Sequence, residues 1–171
     1  LYPLLQKELF LHLSQDEALA HTDALITTLV SSGLLREVDN ELLPPDAHCK
    51  QFHSAWLLSR CMQETLQRYA VVLTILDKEK SISRGALERE SKKVAERLSV
   101  LYGLSSPEFY DKNVLSSFIS ALKENHWLDS EKDGSLKYSE ECEALREDVM
   151  ALIWPEMMQH LENVALNSDK D

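Results

Sequence analysis

Two histidines are each followed five positions later by an acidic residue, a spacing at which a carboxylate could orient an imidazole. The pairs are His12 with Glu17 and His126 with Glu131. An imidazole held in this way can act as a general base and remove a proton from an attacking hydroxyl group. However, Glu17 lies at the start of a predicted helix, and Glu131 lies in a predicted hairpin turn beside Lys132. We therefore expect neither pair to be catalytic and assign no catalytic residue.

His48, Cys49 and His53 carry side chains that can bind metals, and Cys49 and His53 lie about one helical turn apart. A structural zinc site requires four ligands, and no second pair with matching spacing occurs in the sequence. We therefore favour a partly buried helix face over a metal site. The chain also lacks the glycine-rich nucleotide-binding motifs and the GxSxG motif of nucleophilic serines. No metal and no cofactor is expected.

A local excess of positive charge lies between Lys78 and Arg97, in a chain whose net charge is −11. This stretch contains seven basic residues and four glutamates. In one interpretation the stretch is a solvated helix face, stabilised by pairs at four-residue spacing such as Glu88 with Lys92. In the other it contacts anionic lipid headgroups or an acidic protein, where each cation contributes about 1 kcal/mol. We favour the solvated face and keep the second interpretation as the candidate site, formed by Arg84, Arg89, Lys92, Lys93 and Arg97.

The overall acidity argues against nucleic-acid binding, since proteins that bind nucleic acids use Lys and Arg to neutralise phosphates. The 171 residues suffice for one domain with a hydrophobic core, and only four glycines and five prolines occur, so helices should dominate. The three cysteines show no CxxC spacing, which is typical of reduced thiols rather than a disulfide framework.

No signal peptide is recognisable, and the uncharged, mainly apolar run from Tyr69 to Leu76 has only eight members. A helix that spans a bilayer needs about 20 such residues, so no membrane span is expected. The sequence begins at Leu1, without a Met and already inside a helical pattern. This suggests that the chain is part of a longer one.

Start and stop signals divide the chain into helices. A long helix is predicted from about Ala47 to Asp77, another restarts at Ser106-Pro107, and Pro155 should kink or split the last helix. The other predicted boundaries are N-caps at Ser14, Ser83 and Ser139 and helix ends at Gly33, Gly103 and Asn125.

Two β-hairpins are predicted, with turns at Asp39-Asn40 and Asp133-Gly134. Each follows an amphipathic helix, so residues 23–45 and 113–138 share a helix-then-hairpin pattern. This pattern is the core of a winged-helix-like unit, although helix–hairpin sequences also recur by chance. We predict a mostly α fold, a helical domain with two short β-hairpins, and leave open whether these form two winged-helix-like units.

Four segments of the chain resemble the C-terminal region of the large bacterial membrane-associated glycerol-3-phosphate acyltransferases. They are LYPLLQKELFL from Leu1, ETLQRYA from Glu64, ISRGALERESKKVAERLSVLYG from Ile82 and SPEFYDK from Ser106. With the helix and hairpin that follow, they cover most of the chain in the family's order, and the likeness is weakest in residues 44–62 and after Ser130. The family's catalytic signature, a His followed five positions later by an Asp, does not occur here.

The resemblance implies that residues 1–171 are a single helical C-terminal domain, a fragment of a larger chain. The parent protein would transfer an acyl group from acyl-CoA or acyl-carrier protein to the 1-position of glycerol-3-phosphate. This is the first step of phospholipid synthesis, at the cytoplasmic face of the bacterial inner membrane. The fragment alone would be inactive. Its partners would be the catalytic domain of the same chain and, peripherally, an anionic membrane, but no nucleic acid.

The alternative is a protein-interaction module: a stand-alone, helical, winged-helix-like adaptor without an enzymatic parent. Such an adaptor would begin with a Met near Leu1. The native N-terminus therefore distinguishes the two interpretations.

Overall fold

The computed structural model describes residues 1–102 and 107–166 and is mostly helical, with two small antiparallel sheets. The described chain divides into two compact units. The N-terminal unit comprises residues 2–63, and the C-terminal unit comprises Leu1 and the described residues from Glu64 onward. The predicted fold class, helices with two short hairpins, is confirmed.

The N-terminal unit consists of three helices and one hairpin. In chain order these are α1 (Tyr2–Glu8), α2 (Gln15–Ser31), β1 (Arg36–Val38), β2 (Glu41–Leu43) and α3 (Lys50–Arg60). The predicted N-cap of α2 is confirmed as a capping box, in which the Ser14 hydroxyl accepts from the Glu17 amide and the Glu17 carboxylate accepts from the Ser14 amide. Gly33 follows the end of α2 with φ +73°, as predicted for a left-handed residue at that position.

The predicted turn of the first hairpin is also confirmed. Asp39 and Asn40 have φ values of 51° and 66°, the positive pair of a type I′ turn, and β1 pairs with β2 in antiparallel register. The hairpin side chains Val38 and Leu42 are 43% and 45% exposed, so neither is buried in a core.

The C-terminal unit contains the remaining elements, beginning with α4, whose first residue lies at the unit boundary. They are α4 (Gln63–Glu79), β3 (Ser81–Ser83), α5 (Arg84–Tyr102), a 3-10 helix (Pro107–Tyr110), α6 (Lys112–Glu124), β4 (Leu128–Ser130), β5 (Ser135–Tyr138), α7 (Glu140–Leu152) and α8 (Pro155–Leu166). Pro155 splits the last helix as predicted. Ser83 and Ser139 cap α5 and α7 by accepting hydrogen bonds from the amides of Ala86 and Cys142.

Three strands of this unit form a sheet in the order β3-β5-β4, antiparallel throughout. The hairpin of β4 and β5 and its turn at Gly134, with φ +85°, were predicted. Strand β3 was not predicted. It adds to the hairpin by pairing Ile82 with Leu136, more than fifty residues later in the chain.

The hydrophobic core of the C-terminal unit surrounds α4. Residues 69–73 on this helix are almost completely buried, and Tyr69 stacks on Phe118 of α6 with ring centroids 4.1 Å apart. Because an aromatic pair of this kind adds about 0.5–1.5 kcal/mol to the burial of its apolar area, it ties α4 firmly to α6. Further large core side chains are Leu76, Leu87, Leu98, Phe109, Leu115, Ile119, Leu122, Leu136 and Leu161.

Three predicted helix boundaries differ from the structure. The long helix expected from Ala47 to Asp77 is two helices, α3 and α4, separated at Cys61 and Met62. Pro107 begins the 3-10 helix rather than a long helix, and Asp111 caps α6 instead. Asn125 is the last half-helical residue of α6, and the left-handed residue after it is His126, with φ 59°. The helix end predicted at Gly103 lies outside the described residues.

Candidate functional site

The five predicted site residues all lie on α5, and the structure separates them into two rows. Positions 84, 88, 92 and 96 form one row at four-residue steps, in which positive and negative side chains alternate. Positions 89, 93 and 97 form a second row, in which all three side chains are basic. Because the helix repeats every 3.6 residues, each row follows one strip of its surface.

Arg84 belongs to a network that joins the start of α5 to α6. Its guanidinium donates to Glu88 at 3.0 Å and to the hydroxyls of Ser116 and Ser120 at 2.8 Å each. The Ser116 hydroxyl in turn donates to Glu88 at 2.9 Å. Arg84 therefore serves the packing of two helices, and little of its hydrogen-bonding capacity is left for a ligand.

The Glu88 carboxylate is ionised within this network. Partial burial works against its ionisation, but hydrogen bonds from Arg84 and Ser116 and the positive charges of Arg84 and Lys112 outweigh that effect. The pKa of Glu88 is consequently lowered from its ordinary value. This role of Ser116 and Ser120 was not predicted from the sequence. The only signal that could have indicated it is their spacing of four residues on α6.

Lys92 also has an acidic neighbour. Its ammonium group lies 3.5 Å from the Glu96 carboxylate, at the four-residue spacing predicted for a solvated face. Both side chains are close to half exposed, so the pair contributes only a few tenths of a kcal/mol. For Arg84 and Lys92 the structure thus places a carboxylate next to the cation.

Arg89 lies on the side of α5 opposite its buried residues Leu87 and Leu98, whereas Lys93 and Arg97 lie toward α8. We call these three residues the cationic row. Arg89 is exposed, and no ion pair involves it within the part of the chain that the structure describes. Lys93 and Arg97 are half-buried and line a shallow groove of about 630 Å³ between α5 and α8.

The groove combines charged side chains, those of Lys93, Arg97 and Glu96, with apolar surface. Its walls include Val100 and Leu101 of α5, which are 84% and 62% exposed, and His160 and Val164 of α8. A surface with cations beside exposed aliphatic side chains can meet the headgroup and upper acyl region of a lipid layer. No helix in the described residues is long and apolar enough to cross a membrane.

The two His–acid pairs considered at the outset have other roles in the structure. Glu17 is occupied by the Ser14 cap, whose hydrogen bonds lower the pKa of its carboxyl group. Glu131 accepts hydrogen bonds from the hydroxyls of Ser81 and Ser135 at 3.1 and 2.9 Å, which links β3 to the second hairpin. His126 occupies the left-handed position after α6.

The histidines and cysteines near α3 show no metal-binding arrangement. Cys49 precedes the first residue of α3, and the His53 ring stacks on Trp56 at 6.0 Å. Within residues 1–102 and 107–166, no group of three or more His, Cys, Asp or Glu side chains could hold a metal ion.

A polar cluster around Asp77 was not foreseen. The Asp77 carboxylate pairs with Lys80 and with Arg146 of α7, and the Lys80 ammonium lies 4.5 Å from the centre of the Tyr138 ring. Burial, followed by the charge of Asp77, raises the pKa of the nearby Cys142 thiol to about 12. Cys142 is fully buried and stays protonated, so it is an unreactive packing residue.

The fold and surface therefore define a helical region without a recognisable catalytic centre among its described residues, and sequence comparison places it in a family. Residues 1–131 match the sequence profile described as glycerol-3-phosphate acyltransferase C-terminal region. Because this match covers more than half of the chain, the chain belongs to that family. It is the C-terminal region of a glycerol-3-phosphate acyltransferase.

Two relatives carry that enzyme's name. The glycerol-3-phosphate acyltransferase of Alteromonas mediterranea is 92% identical over 167 residues, which cover 98% of this chain. That of Pseudoalteromonas atlantica is 54% identical over 164 residues, 96% of this chain. In both cases the chain spans 20% of the length of the relative. No solved structure matches the chain.

Proposed function

We propose that residues 1–171 are a non-catalytic domain of an enzyme that acylates glycerol-3-phosphate at its 1-position, with acyl-CoA or acyl-carrier protein as donor. The product would be lysophosphatidic acid, the first intermediate of phospholipid synthesis. The observation that carries the proposal is the identity of 92% to a named acyltransferase over nearly the whole chain. The alternative of a stand-alone adaptor has no comparable support.

The proposal that the region is non-catalytic rests on its own residues. Acyl transfer to a hydroxyl group requires a general base that is free to take the proton. A histidine acting as this base would need a carboxylate to orient it, and the two acids at the appropriate spacing, Glu17 and Glu131, are instead hydrogen-bonded to serines. We therefore maintain the proposal that residues 1–171 form a single C-terminal domain and that its partner is the catalytic domain of the same chain.

The experiment compares the full-length acyltransferase with residues 1–171 at equal molar concentration, using glycerol-3-phosphate and acyl-CoA. The full-length enzyme should form lysophosphatidic acid, whereas the region alone should give no product above an enzyme-free blank. Turnover by residues 1–171 alone would contradict the proposal.

We propose further that the candidate site, in particular the cationic row, makes peripheral contact with an anionic membrane. The proposal centres on the cationic row because its three side chains are all basic, whereas in the row of Arg84 and Lys92 acidic side chains alternate with basic ones. Three cations near an anionic lipid surface attract it by about 1 kcal/mol each. The cytoplasmic face of the bacterial inner membrane, where the substrates of the proposed reaction meet, offers such a surface.

The test measures binding of the full-length enzyme to vesicles that contain phosphatidylglycerol. Replacing Arg89, Lys93 and Arg97 together by Ala should weaken binding by at least about tenfold, because roughly 3 kcal/mol of attraction is removed. The matched control replaces three exposed lysines elsewhere in the C-terminal unit, Lys123, Lys132 and Lys137, and removes the same charge. Equal effects of the two triple variants would overturn the specific role of the cationic row.

We also propose a winged-helix-like arrangement for the C-terminal unit. Support comes from the element order α4-β3-α5-α6-β4-β5, in which the first strand pairs with the last and the hairpin follows α6 directly. For the N-terminal unit the support is only its helix α2 followed by a two-stranded hairpin. The chain's net charge of −11 favours a protein partner for such units over DNA. An experimental structure that pairs β3 with another strand would contradict the arrangement.

A further inference from the structure

The N-terminal unit leaves an unusual amount of apolar surface uncovered. Neither α2 nor α3 contains a buried side chain, although both helices are fully described. Leu19 and Leu25 of α2 are 63% and 60% exposed. Single exposed apolar residues are ordinary, but a contiguous apolar surface marks a contact site.

Three other exposed side chains, Leu42, Trp56 and Leu58, line a groove of about 460 Å³ between α2, the first hairpin and α3. Its lining is apolar except for one serine and includes Leu29, Leu35, Leu42, Phe52, Trp56 and Leu58. We call this the apolar groove. It lies wholly within residues 2–63.

One wall of the apolar groove is held in place by its neighbours. The Trp56 ring stacks against His53, and the Arg60 guanidinium lies 4.7 Å from the ring centre. These contacts with residues of the same helix restrict the tryptophan side chain before any partner arrives. A large aromatic side chain that is already ordered loses little entropy on binding and is typical of the centre of an interface.

We infer that the apolar groove receives an apolar segment of the same acyltransferase chain, from the part outside residues 1–171. This inference rests on the proposed function. The two named relatives are about five times as long as this chain, so most of such an enzyme lies outside it. A segment tethered to the groove acts at an effective concentration near the millimolar range, which favours it over a second copy of the protein.

The charge of the N-terminal unit argues against a membrane as the occupant. Residues 2–63 contain four Lys or Arg and eight Asp or Glu, a net charge of −4. Anionic lipid repels such a surface, whereas an apolar protein segment with basic flanks complements it. The acidic unit and the cationic row therefore serve different partners.

The hairpin provides a matched pair of positions for the test. Leu42 and Val38 are almost equally exposed, at 45% and 43%, but they lie on opposite faces of the strand pair. Leu42 lines the apolar groove and Val38 does not. A photo-crosslinking amino acid, p-benzoylphenylalanine, is placed at one position or the other in the full-length acyltransferase, purified in detergent. The crosslinked peptides are identified by mass spectrometry.

At Leu42 the crosslinker should attach to peptides outside residues 1–171 of the same molecule, with a yield several-fold higher than at Val38. Crosslinks from Leu42 only to lipid or detergent, to residues 64–171 or to a second copy would each overturn the inference. Equal yields at both positions would overturn it as well. Circular dichroism and turnover of each labelled enzyme establish that it is folded before the crosslinks are compared.

The crosslinking experiment and the activity assay that tests the proposed function can fail independently of each other. If residues 1–171 alone remain inactive while Leu42 gives no crosslink to the rest of the chain, only the docking inference fails. If residues 1–171 turn over substrate alone, the proposed function fails whatever the crosslinks are.

Discussion

Arg84 shows how a basic side chain in a candidate binding site can be committed to the fold. Its guanidinium connects Glu88 on its own helix with Ser116 and Ser120 on α6. Hydrogen bonds that involve a charged group typically stabilise a protein more than neutral ones. The packing of α5, which carries the candidate surface, against α6 therefore depends on this residue.

Replacing Arg84 by Ala should reduce the free energy of unfolding by about 1–2 kcal/mol, since Glu88 and both serines lose a donor. The exposure of Arg84, 41% of its side chain, keeps the loss at this level rather than at the value for a buried ion pair. Urea unfolding measures the change, with Arg89→Ala as the control on an exposed residue of the same helix. Equal stability of the two variants would contradict the structural role of Arg84.

The lowered pKa of Glu88 predicts a pH dependence. Because the folded protein holds this carboxylate ionised more strongly than the unfolded chain does, Glu88 contributes stability above the unfolded pKa of about 4.3. The contribution should be lost as the pH falls through the lower folded value. Glu88→Gln should therefore destabilise the protein at pH 7 but change its stability much less near pH 3. Unfolding of both proteins at each pH tests this, and an unchanged difference across the range would refute it.

Two helices end in the same motif with different residues. After α2, the amides of Gly33 and Leu34 donate to the carbonyls of Val30 and Leu29. After α6, the amides of His126 and Trp127 donate in the same pattern to Lys123 and Leu122. In each motif the first of these residues is left-handed, a conformation that Gly adopts freely and other residues adopt at a cost.

Opposite effects are expected from substitutions at these two ends. His126→Gly should raise the free energy of unfolding by up to about 1 kcal/mol, because it relieves the left-handed strain. Gly33→Ala should lower it by about 1–2 kcal/mol, because the strain is introduced there and the new methyl carbon would lie 3.3 Å from Gln51 Cγ. Thermal or urea unfolding of the two variants checks the signs. A stabilising Gly33→Ala would show that this helix ends differently.

At this scale, local signals predicted the structure well and distant contacts did not. Ser14, Ser83 and Ser139 cap helices as expected, and both hairpin turns lie where their Asp-Asn and Asp-Gly pairs indicate. The break at Cys61 and Met62 carries no Gly or Pro, so nothing local marks it.

Contacts between residues far apart in the sequence explain the other features that were not predicted. Strand β3 exists because it pairs with residues more than fifty positions later, and the role of Arg84 depends on serines 32 and 36 positions away. All five predicted site residues lie on α5, but the sequence did not distinguish Arg84, which bonds to α6, from Arg89, which is exposed. No local pattern in the sequence encodes that distinction.

The two units differ in how completely they bury their apolar residues. The C-terminal unit surrounds α4 with a continuous core, whereas α2 and α3 of the N-terminal unit have no buried side chain. A region of this kind, which spans a fifth of its relatives' length, is expected to reach full stability only within the longer enzyme. We therefore propose that residues 1–171 have a supporting role, which depends on contact with the rest of the chain.

The most direct test is a complementation assay of glycerol-3-phosphate acylation. Residues 1–171 and the remaining part of the acyltransferase are produced separately, and each is assayed alone and after mixing. We predict no turnover from residues 1–171, little from the remaining part and a clear gain when the two are combined. Turnover by residues 1–171 alone, or full turnover by the remaining part without them, would contradict it.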